Sequence, residues 1–417
     1  MEPILSGMPP LDDVLQGLRP GDNVVWQVDT LEDYIHFAEP FAAQAMADRR
    51  TCLYLRFAPH PPVLQPRPGL TVIEVDPSQG FDSFSNRVHS IIQEHGKGVF
   101  YIFDNLSNLV EEWATDEQLA NFFQVTCPYL FELDTVAYFA LLRGKHNYSA
   151  IARIRDTTQI LIDLYRARGE MYVHPLKVWD RYSPQMFLPH LVSGSYWPAV
   201  SQSGEAAAVA RTAVRQPLSV LTSSIAPWES VYRKLVQYHE TGAAVAEDAP
   251  EIVLLKQELC RMMVGTHPEF NKLADRYLGL NDLFNIRNRL IGSGRIGGKA
   301  AGMLLARRIL LTEPGEIDFA QVLEDHDSFF IGSDVFFTFL VNNDLFRLRL
   351  EVSRQPHFSE YEFSEVEKRF LAGKFPPEII QQFCDMLDYF GQAPIIVRSS
   401  SLLEDSFGNA FAGKYHS

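Results

Sequence analysis

The chain has 417 residues, 46% of them in the apolar AVILMFWYC set and 21% charged, so it can bury sizeable cores and wholesale disorder is excluded. Its 37 Lys and Arg against 52 Asp and Glu give a formal charge of −15, which excludes a chain-wide basic footprint for nucleic acid. The four cysteines, Cys52, Cys127, Cys260 and Cys384, lie far apart with no CxxC spacing, which argues against a zinc site and a disulfide framework.

Through the first two hundred residues, short apolar runs alternate with longer mixed segments. Asn23–Val28, Thr51–Phe57, Thr71–Val75, Val99–Asp104 and Val136–Leu142 read as strands, with helices at Leu31–Arg49, Phe81–His95 and Asp116–Glu132. Runs that are apolar on both faces suit a parallel sheet covered on two sides. Thr158–Tyr165 and Glu170–Val178, separated by a short polar turn, read as an antiparallel hairpin. The expected fold class is α/β, beginning with a doubly wound sheet.

A phosphate loop would follow the first strand as G-x-x-x-x-G-K-[ST], because backbone N–H groups and a lysine must surround the phosphates. After Val28 this chain instead has Asp29, Thr30, Leu31, Glu32 and Asp33, with neither glycine nor lysine. Like charges at close range in a partly dry site repel by about 4 kcal/mol, so triphosphate binding there is disfavoured. Other features match a nucleotide-binding family. The opening SGMPPLDDVLQGLRPGDNVVWQ resembles that of RecA/KaiC-like ATPases, and GVFYIFDNLSNL resembles their Walker B strand, with Asp104 at its carboxyl end. The resemblance implies that such an Asp orients Mg²⁺ in an active relative. Without the phosphate loop, Asp104 reads as a strand-terminal polar residue that caps the next turn. Residues 1–200 are therefore expected to be a degenerate RecA/KaiC-like domain that senses, docks or forms a homo-oligomer rather than catalyses.

Residues 201–284 read as a linker and helical connector. Ser201–Ser224 is small and polar, suiting a linker or a poorly packed helix. Pro227–Tyr277 then carries apolar residues at helical intervals, with Pro250 at a first helical turn. Two or three helices are expected here, with no chemistry.

Residues 290–311 read LIGSGRIGGKAAGMLLARRILL. Gly292, Gly294, Gly297, Gly298 and Gly302 surround Lys299, and a good helix sequence starts at once. Glycines permit close backbone approach, the helix start offers N–H groups and partial positive charge, and Lys299 adds a full one. These are the parts of an anion cradle. The Walker A pattern fails, because Ser293 stands where its first glycine belongs and Ala300 follows Lys299. Gly292-x-Gly294-x-x-Gly297 matches the dinucleotide fingerprint literally, but its preceding strand would be the polar FNIRNRLI. The IGGKAAGM core resembles the segment that opens the ATP-binding domain of phosphoenolpyruvate synthase and pyruvate phosphate dikinase.

A second motif follows a hundred residues later. Ala393–Val397 reads as a short apolar strand, and RSSSLLEDSFGNAFAGKYHS after it resembles the same family's arginine-serine signature. The matching residues are Val397, Arg398, Ser399, Ser400, Glu404, Asp405, Phe411, Ala412 and Gly413. Ser401 departs from the usual Ala, and Ala410 from Ser. The resemblance spans roughly Asn285 to Ser417, so residues 285–417 are expected to be the N-terminal portion of an ATP-grasp-like ATP-binding domain. It implies that Lys299 and Arg398 hold ATP phosphates and act in catalysis, with Gly297, Gly298, Ser399, Ser400, Glu404 and Asp405 completing the nucleotide site. Arginine suits such a role because its planar fork meets phosphate oxygens bidentately.

In that family, ATP and Mg²⁺ serve to phosphorylate a carrier histidine, which then passes the phosphoryl group to pyruvate or another acceptor. None of the 12 His here lies in a Gly/Thr-rich carrier context, and the metal carboxylates are expected beyond this sequence, which would make it part of a longer enzyme. An alternative expectation is a non-catalytic regulatory or scaffolding protein that assembles through its RecA-like half. Apolar stretches are strand-sized, short of the roughly 20 residues of a membrane span, and no secretory signal opens the chain. A cytoplasmic protein without membrane or nucleic-acid partners is expected.

Overall fold

The computed structural model describes residues 4–113, 115–167, 169–213, 227–240, 249–265, 267–313, 315–324, 327–355, 357, 359–399, 405–406 and 409–410. The chain divides into two compact units. The first comprises Met1–Val110 and Leu119–Ser224, the second Glu111–Gln118 and Ile225–Ser417.

The first unit begins with α1 (Pro9–Leu15), β1 (Asn23–Val28), α2 (Leu31–Ala47), β2 (Cys52–Arg56) and β3 (Leu70–Glu74). It continues with α3 (Phe81–His95), β4 (Phe100–Asn105), α4 (Ser107–Trp113), α5 (Asp116–Glu132) and β5 (Val136–Leu142), the end of α4 and the start of α5 belonging to the second unit. The chain then adds α6 (Tyr148–Thr157), β6 (Ile160–Ala167), β7 (Glu170–Val178), β8 (His190–Leu191) and α7 (Ser203–Ala213). The strands form one sheet in the order β3-β2-β4-β5-β1-β6-β7-β8. Pairing is parallel from β3 to β6 and antiparallel from β6 through β8.

This order sends the β1–β2 crossover toward one edge of the sheet and those after β3, β4 and β5 toward the other. Right-handed crossovers then place α2 on one face and α3, α5 and α6 on the opposite face. The aromatic packing follows that division. On the α2 face, Trp26 stacks on Phe37 with centroids 4.4 Å apart, and Phe41 stacks on Tyr138 at 3.9 Å. On the other face, Phe103 stacks on Phe139 at 4.4 Å and Phe84 lies 5.6 Å from Phe122. Ser203–Ala213, which composition suggested as linker or loose helix, packs as α7 against β6, with Val209 buried beside Tyr165, Tyr172 and Val200.

In the second unit, helices Pro227–Glu240, Pro250–Met263 and Pro268–Tyr277 each begin at a proline, where the missing N–H costs nothing. They share one apolar core with Leu290, Ile296, Ala301, Leu305 and Phe330. One sequence expectation, the strand at Ala393–Val397, is corrected here, and the doubt about a strand before the glycine run is supported. FNIRNRLI is mostly helix: Leu280, Leu283 and Ile286 are buried at helical spacing in Leu280–Asn288, and only Leu290–Ile291 is strand, paired with Phe330–Ile331. Ala393–Val397 forms no strand, and Ile395, Ile396 and Val397 are exposed. Among the described residues it has no partner strand, and β-propensity without a hydrogen-bonded neighbour does not make a strand. Among the described residues, no helix is long and apolar enough to cross a membrane, and all four cysteines are free thiols.

Asp104, the Walker-B-like residue, is fully buried at the end of β4. Its carboxylate accepts from the Tyr54 hydroxyl and from the backbone N–H groups of Phe57 (3.0 Å) and Ala58 (3.1 Å). The Tyr54 oxygen in turn accepts from Val63 N at 3.0 Å. Asp104 therefore ties down the segment between β2 and β3 rather than capping the turn that follows it. Asp104→Ala leaves several buried donors unmatched and is expected to lower unfolding free energy by about 3 kcal/mol, read by equilibrium urea unfolding. A change below about 0.5 kcal/mol would contradict this structural role.

Candidate functional site

In a doubly wound sheet, ligands enter the crevice where neighbouring strands send their connections to opposite faces. In the first unit that place lies at the carboxyl ends of β1 and β5. Arg143, just past β5, fills it: Nε bonds Asp29 at 2.9 Å, Nη1 bonds Asp163 at 2.6 Å, and Nη2 bonds the Leu164 carbonyl at 2.8 Å. Burial works against the Arg143 charge, but Asp163 and Asp29 outweigh it and raise its pKa. Asp33, another acid of the segment after β1, is held by Arg166 at 2.8 Å. Asp29 and Asp33, two of the three acids after β1, thus have cationic partners from the same unit.

The glycine loop of the second unit leaves strand Leu290–Ile291 and is built round Asp334, the second residue of helix Ser333–Asn342. Ser293 N (2.9 Å) and Oγ (3.0 Å) donate to Asp334 Oδ2, and Gly294 N donates to Oδ1 at 2.6 Å. Gly292 N donates to Gln382 Oε1 at 2.9 Å. The Ser293 hydroxyl spends its proton on Asp334, so the Thr115 hydroxyl, 2.8 Å away, donates to it. Trp228 Nε1 donates to the Ser293 carbonyl at 2.7 Å. Burial pushes the Asp334 carboxyl up, and the N–H and O–H donors pull it partly back.

The glycines here answer to that carboxylate. A Cβ on Gly292, whose φ is +84°, would meet Val335 Cγ2 at 2.5 Å; one on Gly294 would meet Asp334 N and Oδ1 at 2.7 Å. Gly332, on the other side, would meet Asp334 Oδ1 at 2.5 Å. The literal match of Gly292-x-Gly294-x-x-Gly297 to a dinucleotide fingerprint, already weak in its context, has a further obstacle: an internal anion takes N–H groups that a pyrophosphate would need.

The second half of the loop differs. Gly297 is the N-cap of helix Gly298–Thr312 and supplies no side-chain cap, and no acid stands in the first turn. The helical ladder begins with Ala301 N on the Gly297 carbonyl at 3.0 Å, so the preceding N–H groups have no intrahelical acceptor. Gly297, Gly298 and Lys299 are half-buried at this start. Of the arginine-serine motif, Arg398 is exposed and Ser399 half-buried. Ser400 and Glu404 lie outside the described residues. Asp405 lies in the short strand Asp405–Ser406, which pairs with Asn409–Ala410 and contacts helix Gly298–Thr312. Asp405–Ser406 thus touches the helix that carries Lys299, whereas Arg398 has no hydrogen bond or ion pair among the described residues. Asp334 and Arg295 are the residues that sequence reasoning missed. An acid at a helix start after Gly332 and Ser333, and an arginine inside a glycine run, were the available signals.

Residues 293–417 match the family model described as the pyruvate phosphate dikinase AMP/ATP-binding domain. That segment is under a third of the chain and contains both the glycine-lysine loop and the arginine-serine motif. No curated protein matches the chain.

Asp334→Ala removes the acceptor of two loop amides. Amide exchange at Ser293 and Gly294 is expected to accelerate about 30-fold, equivalent to about 2 kcal/mol of lost protection, measured by hydrogen–deuterium exchange. Unchanged exchange at both amides would show that the loop holds its shape without this carboxylate.

Proposed function

We propose that the chain is the ATP-binding part of a phosphotransferase similar to phosphoenolpyruvate synthase and pyruvate phosphate dikinase. The observation that carries this reading is the uncapped glycine start of helix Gly298–Thr312 bearing Lys299, inside the segment matched by the AMP/ATP-binding family model. A helix start without its own acid favours a ligand anion, through its N–H groups and its dipole. Lys299 adds a charge there, and Arg398 supplies a planar fork for phosphate oxygens. Gly297, Gly298, Ser399, Ser400, Glu404 and Asp405 complete the proposed nucleotide site. Neutralising charge on the transferring group is the main task of the protein in phosphoryl transfer, and Lys299 and Arg398 are assigned to it. The phosphoryl group would pass to a carrier histidine in another domain and from there to pyruvate or another acceptor.

Mg²⁺ would add charge neutralisation at the phosphates. Among the described residues no cluster of three His, Cys, Asp or Glu side chains could hold it, and Asp334 is already engaged by loop donors. No step is assigned to the metal through these residues.

For the first unit, the filling of its switch-point crevice by Arg143 favours a second role. We assign it as a RecA/KaiC-like domain that has exchanged nucleotide binding for assembly. The strand order, with β1 flanked by β5 and β6, supports the assignment. Sedimentation of the whole chain is expected to show self-association, and a strict monomer across the micromolar range would count against it.

For ATP itself, Lys299→Ala and Arg398→Ala are each expected to weaken binding about 10- to 100-fold in calorimetric titration, the loss of one charge-assisted contact of about 1.5–3 kcal/mol. Wild-type affinity in both variants would defeat the assignment.

A further inference from the structure

Arg295 stands inside the glycine loop, four residues before Lys299. Its backbone is fixed on both sides: its carbonyl accepts from Ser333 N at 3.1 Å, and the next amide, Ile296 N, donates to the Met263 carbonyl at 2.9 Å. The residue as a whole is half-buried, but its Nε and Nη2 are sealed from solvent and have no hydrogen-bond partner among the described residues. Glu112 attracts the guanidinium from outside bonding distance, and Arg261, in the last turn of helix Pro250–Met263, repels it. Burial pushes its pKa down to about 10, well below the usual guanidinium range, and the neighbouring charges do not restore it.

A buried cation with idle donors is costly unless something supplies the missing acceptors. Asp334, the acid that closes the first half of the loop, is committed to Ser293 and Gly294 and does not serve Arg295. The other anion-seeking feature of the same loop is the helix start at Gly297–Lys299. We propose that Arg295 is a binding residue for a phosphate-class anion, its Nε and Nη2 joining Lys299 and the start of helix Gly298–Thr312 on one ligand. The inference rests on the reading of this loop as the ATP site and adds to it the residue that takes a phosphate oxygen from within the loop. The anion has two possible sources, a nucleotide phosphate or free orthophosphate, and both present the same oxygens.

The test uses the whole chain, with ATP, inorganic tripolyphosphate and orthophosphate as separate probes, and reads both melting temperature and calorimetric affinity. Arg295→Met removes the idle charge while keeping most of the volume. The unliganded variant is expected to melt at or above the wild-type temperature, with affinity for ATP and tripolyphosphate reduced 10- to 100-fold. A variant that melts lower and binds ATP within twofold of wild type would overturn the inference, making Arg295 a structural partner of Glu112.

Glu112→Gln gives an independent readout should Arg295→Met fail to fold. Unchanged or tighter ATP binding without loss of melting temperature supports Arg295 as a ligand residue, whereas a lowered melting temperature with unchanged affinity opposes it. Failure of the underlying reading looks different, because ATP and tripolyphosphate then leave the wild type unaltered. In that event, orthophosphate binding that is lost in Arg295→Met supports a free-phosphate site, and no binding of any probe overturns this inference as well.

Discussion

The carboxylate of Asp334 takes both amide hydrogens at the first bend of the glycine loop, and the rest of the candidate site is arranged by that choice. An acid buried among backbone donors draws the chain close, and close approach excludes side chains at positions 292, 294 and 332. With that half of the loop closed, Gly297 starts the next helix without a side-chain cap and with no acid in its first turn. The contrast between the two halves is electrostatic. One half is neutralised from within, whereas the helix that follows has no acid in its own first turn.

The first unit applies the same balance with the signs reversed. Where the sheet opens its crevice, Asp29 and Asp163 face Arg143, and the guanidinium occupies it. Asp104 has likewise been drawn into the fold, where Tyr54 and two backbone amides surround it. A carboxylate so engaged has little left to offer a metal-bound water. The polar ends of this sheet are thus turned inward, where they stabilise the fold.

Much of the first unit was legible in sequence because its strands are apolar on both faces. Val136–Leu142 and Asn23–Val28 needed only that pattern and the breaks around them, since a doubly covered strand leaves no polar alternation to misread. Apolar pattern is not enough where a partner decides. Ala393–Val397 has the composition of a strand, but a strand exists only when another pairs with it. Residues 281–288 look polar for a core element, yet Leu283 and Ile286 fall on one helical face and bury it. The glycine loop was visible as a concentration of glycine and lysine. Its internal anion was not, because Asp334 lies forty residues further along and meets Ser293 and Gly294 only after folding.

The net charge of the chain bears on which of these features matter for an anionic ligand. At −15 the protein as a whole repels a polyphosphate, but at physiological salt such fields fade over about 8 Å. Recognition must then come from cations within a contact or two of the phosphates. On the proposed reading, Lys299 supplies a flexible charge at the helix start and Arg398 an exposed fork. Arg295 supplies a guanidinium whose buried donors need no further desolvation when an oxygen arrives. The last of these has already met the cost of leaving water in the unliganded fold, so its contact with a phosphate oxygen would be made against little competing hydration.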